Sequence, residues 1–250
     1  MTPTGVDRPP SYLIFGATGG IGESLCRRLA SGGARLTIAG RNQESLRLLA
    51  NELEASAYPI DATRFGEVDA CVEHVTQVLG RLDGIASCVG SLLLKPAHAT
   101  SEAEWFSTVA TNLTSAFAIV RAGAKAMMNA GGSIVLVSSA AARVGLANHE
   151  AIAAAKAGVI GLTLSAAATY GRHRIRVNCV APGLVRTPMT SRLTANEASL
   201  KASTAMHPLG LICEPEDIAA AIEWLLNPEQ SWVTGQVLGI DGGLGSVRSR

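Results

Sequence analysis

Short apolar runs alternate with segments of helical periodicity along almost the whole chain, and this alternation constrains the fold more than any other feature. The strand candidates are Tyr12–Phe15, Arg35–Ala39, Ala57–Ile60, Gly84–Val89, Ser133–Val137, Arg176–Val180 and Gln236–Ile240. Helical patterns fill the intervals at about 20–31, 42–54, 65–79, 102–129, 148–170 and 215–226. Neighbouring strands joined by helices of this length run parallel, and right-handed crossovers place the helices on both faces of the sheet. Strands covered on both faces read as continuous apolar runs rather than as alternating ones, and these do. The expectation is an α/β protein with a doubly wound parallel sheet of about seven strands. No Pro/Gly/Ser linker or internal repeat divides the chain, so residues 11–250 read as a single domain. Residues 1–10 carry three prolines and no periodicity, which predicts a mobile N-terminal tail. The segment at about 188–212 breaks the rhythm. It is polar, contains Pro188 and Pro208, and is long enough to form a lid loop over a substrate site.

Charge and cysteine usage exclude several classes. Twenty-one basic and 20 acidic residues give a net charge of +1, with no electrostatic footprint for nucleic acid or an anionic membrane. Five cysteines (26, 71, 88, 179 and 213) are scattered and form no CxxC pair, as expected of reduced thiols in a cytoplasmic protein rather than a disulfide framework or a metal site. No apolar run is read as approaching a membrane span, and the N-terminus lacks a signal pattern. The expected partner is a small-molecule substrate.

Gly16-Ala17-Thr18-Gly19-Gly20-Ile21-Gly22 directly follows the first strand candidate and opens the first helix. Glycines there let the backbone turn sharply and approach a pyrophosphate, whose charge sits at the helix N-terminus. A glycine-rich turn alone is a weak signal, but strand, helix and alternation together make it a dinucleotide-binding turn. The second strand ends in Ala39-Gly40-Arg41-Asn42, about 20 residues past that turn, where the adenosine ribose is met. No acid stands there to accept from a free 2′-hydroxyl, whereas a guanidinium suits a 2′-phosphate. Arg41 therefore favours NADP(H) over NAD(H), its alternative being a solvated first-turn residue.

The layout resembles the short-chain dehydrogenase/reductase (SDR) family over nearly the whole chain, whose fold is of the Rossmann type. The glycines at 16, 20 and 22 match that family's spacing. The resemblance implies that Asp61, followed by Ala62, touches the adenine amine, and that Gly90 in Ser87-Cys88-Val89-Gly90 makes a tight passage beside the cofactor. It implies that Ala181-Pro182-Gly183-Leu184-Val185-Arg186-Thr187 receives the nicotinamide carboxamide, through the Val185 backbone and the Thr187 hydroxyl. Catalysis in the family uses a Ser that polarises the substrate oxygen, a Tyr that protonates it, a Lys that lowers the Tyr pKa and holds the ribose, and an Asn that positions a water. By resemblance Ser139, Lys156 and Asn112 fill three of these roles.

The Tyr belongs four residues before the Lys, and Ile152 stands there. A hydrocarbon has no proton to give, and losing a positioned general acid costs about 10²–10⁴ in rate. His149 is the candidate substitute. On a helix, positions 149 and 156 fall within about 20° of the same face, and a helix N-terminus lowers a histidine's pKa. Its alternative is a bystander or substrate contact. Three functions stay open: an NADP(H)-dependent oxidoreductase acting on a carbonyl or alcohol, an NADP(H)-binding protein without turnover, and an isomerase or dehydratase using the same pocket. The resemblance also implies a homo-oligomer, a dimer or a tetramer built as a dimer of dimers.

Overall fold

The computed structural model describes residues 8–247. Seven strands form one parallel sheet in the order β3-β2-β1-β4-β5-β6-β7: β1 Ser11–Phe15, β2 Arg35–Gly40, β3 Ser56–Pro59, β4 Gly84–Ser87, β5 Gly132–Val137, β6 Ile175–Pro182 and β7 Val237–Ile240. The order reverses direction between β1 and β4, which opens a crevice at their C-terminal ends. Side-chain alternation divides the core. Leu13, Phe15, Ile85, Ile134 and Leu136 face helices α3 (Phe65–Leu79), α5 (Ser115–Met127) and α6 (Glu150–Tyr170). Ile14, Ala86, Val135 and Val180 face α1 (Gly20–Ser31), α2 (Gln43–Leu53) and α9 (Pro215–Leu226). The edge strand β3 is largely exposed, so the doubly covered pattern holds only for the inner strands.

Several boundaries differ from the sequence expectation. The 102–129 helix is broken into α4 (Glu102–Val109), a π-helical turn at Ala110–Thr114, and α5. Helix α6 begins at Glu150 rather than 148, because Asn148 adopts a left-handed φ of 63° and His149 is the N-cap. The segment at 188–212 is not an irregular loop. It carries a 3₁₀ turn at Pro188–Thr190 and the helices α7 (Ser191–Thr194) and α8 (Glu197–Met206), the latter capped by the Asn196 side chain. It is also less polar than read, since Met189, Met206, Leu209 and Leu211 are exposed on it.

The tail expectation meets the structure only at residues 8–10, residues 1–7 lying outside those described. There Arg8 donates to the Leu79 carbonyl at 3.3 Å and the Pro10 carbonyl accepts from Arg35, which ties the segment to the sheet. The membrane reading also needs correction, because Glu150–His173 is long and apolar enough to cross a bilayer by length and composition. Its buried stripe of Ile152, Ala155, Lys156, Val159 and Thr163 packs at helical spacing on the sheet, as a core helix does.

Candidate functional site

Glycine geometry at the start of α1 is set by contacts that leave no room for a side chain. Gly16 has a φ of 73°, and a Cβ there would lie 2.7 Å from the Cys88 carbonyl carbon. At Gly22 a Cβ would sit 2.2 Å from the Gly16 oxygen, and at Gly20 it would meet the Thr187 methyl at 2.9 Å. The β1–α1 turn is therefore pressed against both the end of β4 and the start of the 188–212 segment, at Thr187 and Pro188. Gly19 caps α1 without any side-chain hydrogen bond, so the first amides of this twelve-residue helix have no capping side chain, and the acid of its first turn, Glu23, is paired with Arg27. These residues fit a pyrophosphate, with Thr18 and Ile21 completing the turn.

At the adenosine end, Arg41 is exposed at the end of β2 and Asp61 lies beyond β3. The Asp61 carboxyl is held below the usual carboxylate range. The amide of Thr63, donating at 3.0 Å, is the main cause; burial opposes it, and the Thr63 hydroxyl at 2.8 Å and the charges of Arg41 and Arg64 add to it. Both Thr63 bonds use Oδ1, which leaves Oδ2 for a ligand amine. Ala62 is buried beneath this corner.

The catalytic candidates gather at the ends of β4 and β5. Asn112 is buried in the π turn, and the turn has a local reason. Its Nδ2 donates to the Thr108 carbonyl at 3.0 Å, taking the place of a helix amide, and to Ser91 Oγ at 2.9 Å. Its Oδ1 accepts from the Ser91 amide at 3.1 Å. A Cβ on Gly90 would lie 3.2 Å from Asn112 Oδ1 and 3.5 Å from Lys156 Nζ, so the three residues converge on one point. Lys156 Nζ donates to the Val137 carbonyl at 2.8 Å, while Ser138 Oγ donates to the Lys156 carbonyl at 2.8 Å. This pair of bonds locks α6 to the end of β5. Burial pulls the lysine pKa down to about 8, with the neighbouring thiols of Cys179 and Cys88 opposing. Burial also pushes those thiols up, to about 11 and about 12, so they carry no charge to pair with the ammonium. Ser139 follows in extended conformation, and its Oγ accepts from the Ala141 amide at 3.1 Å, leaving the hydroxyl proton free.

The carboxamide candidates lie where β6 ends. Arg186 donates to the Cys213 carbonyl and Cys213 donates to the Leu184 carbonyl, both at 2.9 Å. In such a parallel bridge the amide and carbonyl of Val185 itself point away from Cys213. The Val185 carbonyl accepts from Thr190 Oγ1, and Thr187 Oγ1 shares a 3.1 Å hydrogen bond with the same hydroxyl. Pro182 is buried and Gly183 abuts the His207 ring.

His149 is not joined to this cluster by a hydrogen bond among the described residues. Its Nδ1 lies 2.8 Å from the Ala147 carbonyl, and its backbone (φ −111°, ψ 11°) is not helical. The helical-face argument that aligned it with Lys156 therefore does not apply at this position.

Residues 16–245 match the family described as enoyl-(acyl carrier protein) reductase. The 3-oxoacyl-[acyl-carrier-protein] reductase of Thermotoga maritima is 36% identical over 242 residues, spanning 93% of this chain and 96% of the relative. The solved short-chain type dehydrogenase/reductase from Mycobacterium ulcerans has a TM-score of 0.92 at 32% identity, covering 96% of this chain and 91% of that one. A variant of actinorhodin polyketide ketoreductase solved with NADPH has a TM-score of 0.90 at 30% identity, covering 96% and 98%. The chain belongs to the short-chain dehydrogenase/reductase family.

Membership in the SDR family accounts for the sheet order, the crevice and the placing of the glycine turn. Four contributors to the site went unread in the sequence: Ser138, Ser91, Thr190 and the Val137 carbonyl. Ser138 alone had a signal, being the first of two serines at the end of β5. Ser91 and the Val137 carbonyl act through contacts between segments far apart in the chain, which no local pattern announces, whereas Thr190 closes a local turn onto Val185 and Thr187.

Proposed function

We propose that this SDR is an NADP(H)-dependent oxidoreductase acting at a carbonyl or alcohol carbon of a small molecule, as a cytoplasmic homo-oligomer, with an active site that works without the family Tyr. The observation that carries this reading is the convergence of Gly90, Asn112 and Lys156 within 3.5 Å of one point, in the same crevice as the uncapped start of α1. Exposed Arg41 beside Asp61 supports the phosphorylated nucleotide, because a guanidinium pairs with a 2′-phosphate in a bidentate way. The solved ketoreductase with NADPH supports it by likeness.

When bound, the nicotinamide supplies or accepts the hydride. The residues do the rest. Ser139 polarises the substrate oxygen by donating a hydrogen bond through its free hydroxyl proton, which stays on the serine. Lys156, anchored by the Val137 carbonyl, keeps further N–H bonds for ribose hydroxyls. Asn112 holds the Ser91–Gly90 passage open by bonding both the amide and the hydroxyl of Ser91. Ile152 is 4% exposed and gives no proton. With Nδ1 of His149 donating to Ala147, only Nε2 is left to exchange one, so the proton comes from that atom or from water.

A second reading has its own support. A hydrocarbon wall at 152 and a histidine bonded away from the cluster suit a protein that binds NADP(H) without turning it over. Following NADPH absorbance against a broad panel of aldehydes, ketones and 3-oxoacyl thioesters separates the two. Consumption on any carbonyl supports the enzyme, and tight NADPH binding without consumption supports the binding protein. Cofactor choice is tested by dissociation constants. NADPH is expected to bind more tightly than NADH, with Arg41→Asp erasing or reversing the order.

A further inference from the structure

Within the segment 188–212, the described structure buries a single residue, His207. Helix α8 buries none of its ten residues, and the chain drops into the protein where the helix ends. Both ring nitrogens are engaged there. Nδ1 lies 2.6 Å from the Ser203 carbonyl, one turn back in α8, and Nε2 lies 3.2 Å from the Leu184 amide. A carbonyl only accepts and an amide only donates, so the proton sits on Nδ1 and Nε2 offers a lone pair. Leu184 lies between Gly183 and Val185, inside the turn assigned above to the carboxamide end of the cofactor.

Neighbouring contacts make this junction stiff. A Cβ on Gly183 would come within 2.4 Å of His207 Nε2, so the glycine allows the ring its approach. Past the histidine, Leu209 donates to the Gly242 carbonyl at 3.1 Å, and Pro208 packs against Gly243. The turn beneath is held by Asp241, whose two carboxylate oxygens accept from the Gly243 and Gly245 amides at 3.0 Å each. One imidazole thus spans the lid helix and the turn that presents Val185.

We propose that His207 is a positioning residue that fastens the lid to the carboxamide-receiving turn, so that docking of the lid and binding of the nicotinamide end of the cofactor are coupled. The proposal rests on the NADP(H) reading above. It separates the two ends of the cofactor: His207 acts on the nicotinamide end, while Arg41 and the glycine turn act on the phosphates.

The test compares NADPH with 2′,5′-ADP, a probe that carries the 2′-phosphate and adenosine but no nicotinamide. Calorimetry on the full chain measures both. In His207→Asn the short amide keeps a donor for Ser203 but cannot reach Leu184. This variant is expected to bind NADPH about 10-fold more weakly, the effect of leaving the half-buried Leu184 donor unpaired, and 2′,5′-ADP within about 2-fold of wild type. His207→Gln, whose amide oxygen reaches the Nε2 position, is expected to restore NADPH affinity. Gly183→Ala, which pushes the ring away from the turn, is expected to reproduce the selective loss, and it decides the matter if His207→Asn does not fold. Unchanged NADPH affinity in His207→Asn, or parallel loss of both ligands, overturns the positioning role and leaves the cofactor reading standing. Wild-type protein that binds neither ligand overturns the cofactor reading and the positioning role with it.

Discussion

Ile152 sits on the buried stripe of α6, one turn before Lys156, and in the function proposed above it stands where a proton donor is needed. If it removes the only effective acid from an otherwise competent site, Ile152→Tyr should raise carbonyl reduction by about 10²-fold or more, the range for a positioned acid. If His149 Nε2 has taken over, wild type already turns over, and His149→Ala lowers the rate by a similar factor with NADPH affinity nearly unchanged. Steady-state rates on wild type and the two variants separate these outcomes. Absence of turnover in all three, with NADPH bound, removes the enzyme reading. Lys156 carries a prediction of its own. Burial lowers its pKa from the usual 10.5 to about 8, so below pH 8 the folded protein bears the cost of a buried charge. Between about pH 8 and 10.5 the folded state sheds this proton before the unfolded state does. The unfolded chain then binds more protons, and stability rises with pH. Relative to Lys156→Met, wild type should gain about 1–3 kcal/mol across that window in urea denaturation. A constant difference would show that the amine titrates normally.

The glycine turn shows at the scale of an element how local sequence and distant packing divide the work. A methyl group at Gly22 would lie 2.2 Å from the Gly16 oxygen, a backbone atom that cannot swing aside. Gly22→Ala should cost about 1–3 kcal/mol of stability by overpacking, read as a lower urea midpoint at unchanged slope, and should weaken NADPH binding as α1 shifts off the turn. That α1 follows a glycine turn was legible, because strand, turn and helix are consecutive in sequence. The same holds for α3, whose expected bounds match the structure, and for the inner strands, whose apolar runs are continuous. What was not legible came from long-range contacts or single dihedrals. The π turn exists because the Asn112 amide replaces a helix hydrogen bond at Thr108 while gripping Ser91, 21 residues away. The late start of α6 follows from one left-handed residue, Asn148, whose carbonyl is held by the Lys95 amide. Helices α7 and α8 escaped notice because Glu197–Met206 buries no stripe and so lacks the apolar periodicity that marks a packed helix. At the site, residue types were readable from motif spacing, but which of them touch was not.

Apart from the 188–212 segment, exposed large apolar side chains gather in two separate places among the described residues. One lies on the helices opposite the sheet, where Trp105, Phe106, Phe117 and Leu164 are all more than 40% exposed on α4, α5 and α6. The other borders the last strand, where Trp232 is 96% exposed near Trp224, Leu238 and Val247 in sequence or along the β7–α9 side. Large aromatic side chains exposed together mark contact surfaces more often than solvent faces. A stable contact needs about 800 Å² from each partner, more than any one of these side chains supplies but within reach of a helix pair. If each patch is self-complementary, the two generate two two-fold axes, and the homo-oligomer proposed above is a tetramer built as a dimer of dimers. Sedimentation at micromolar concentration should therefore show a species several times the 25.8 kDa of one chain. Glutamate at both Trp105 and Phe106 should break the helical contact and leave a dimer held through the β7 side, because two charges per protomer would be buried without partners. Trp232→Glu should leave the complementary dimer. A wild-type protein that sediments as a folded 25.8 kDa monomer would mean that both patches face solvent and that the α4–α6 helices are apolar outside for another reason.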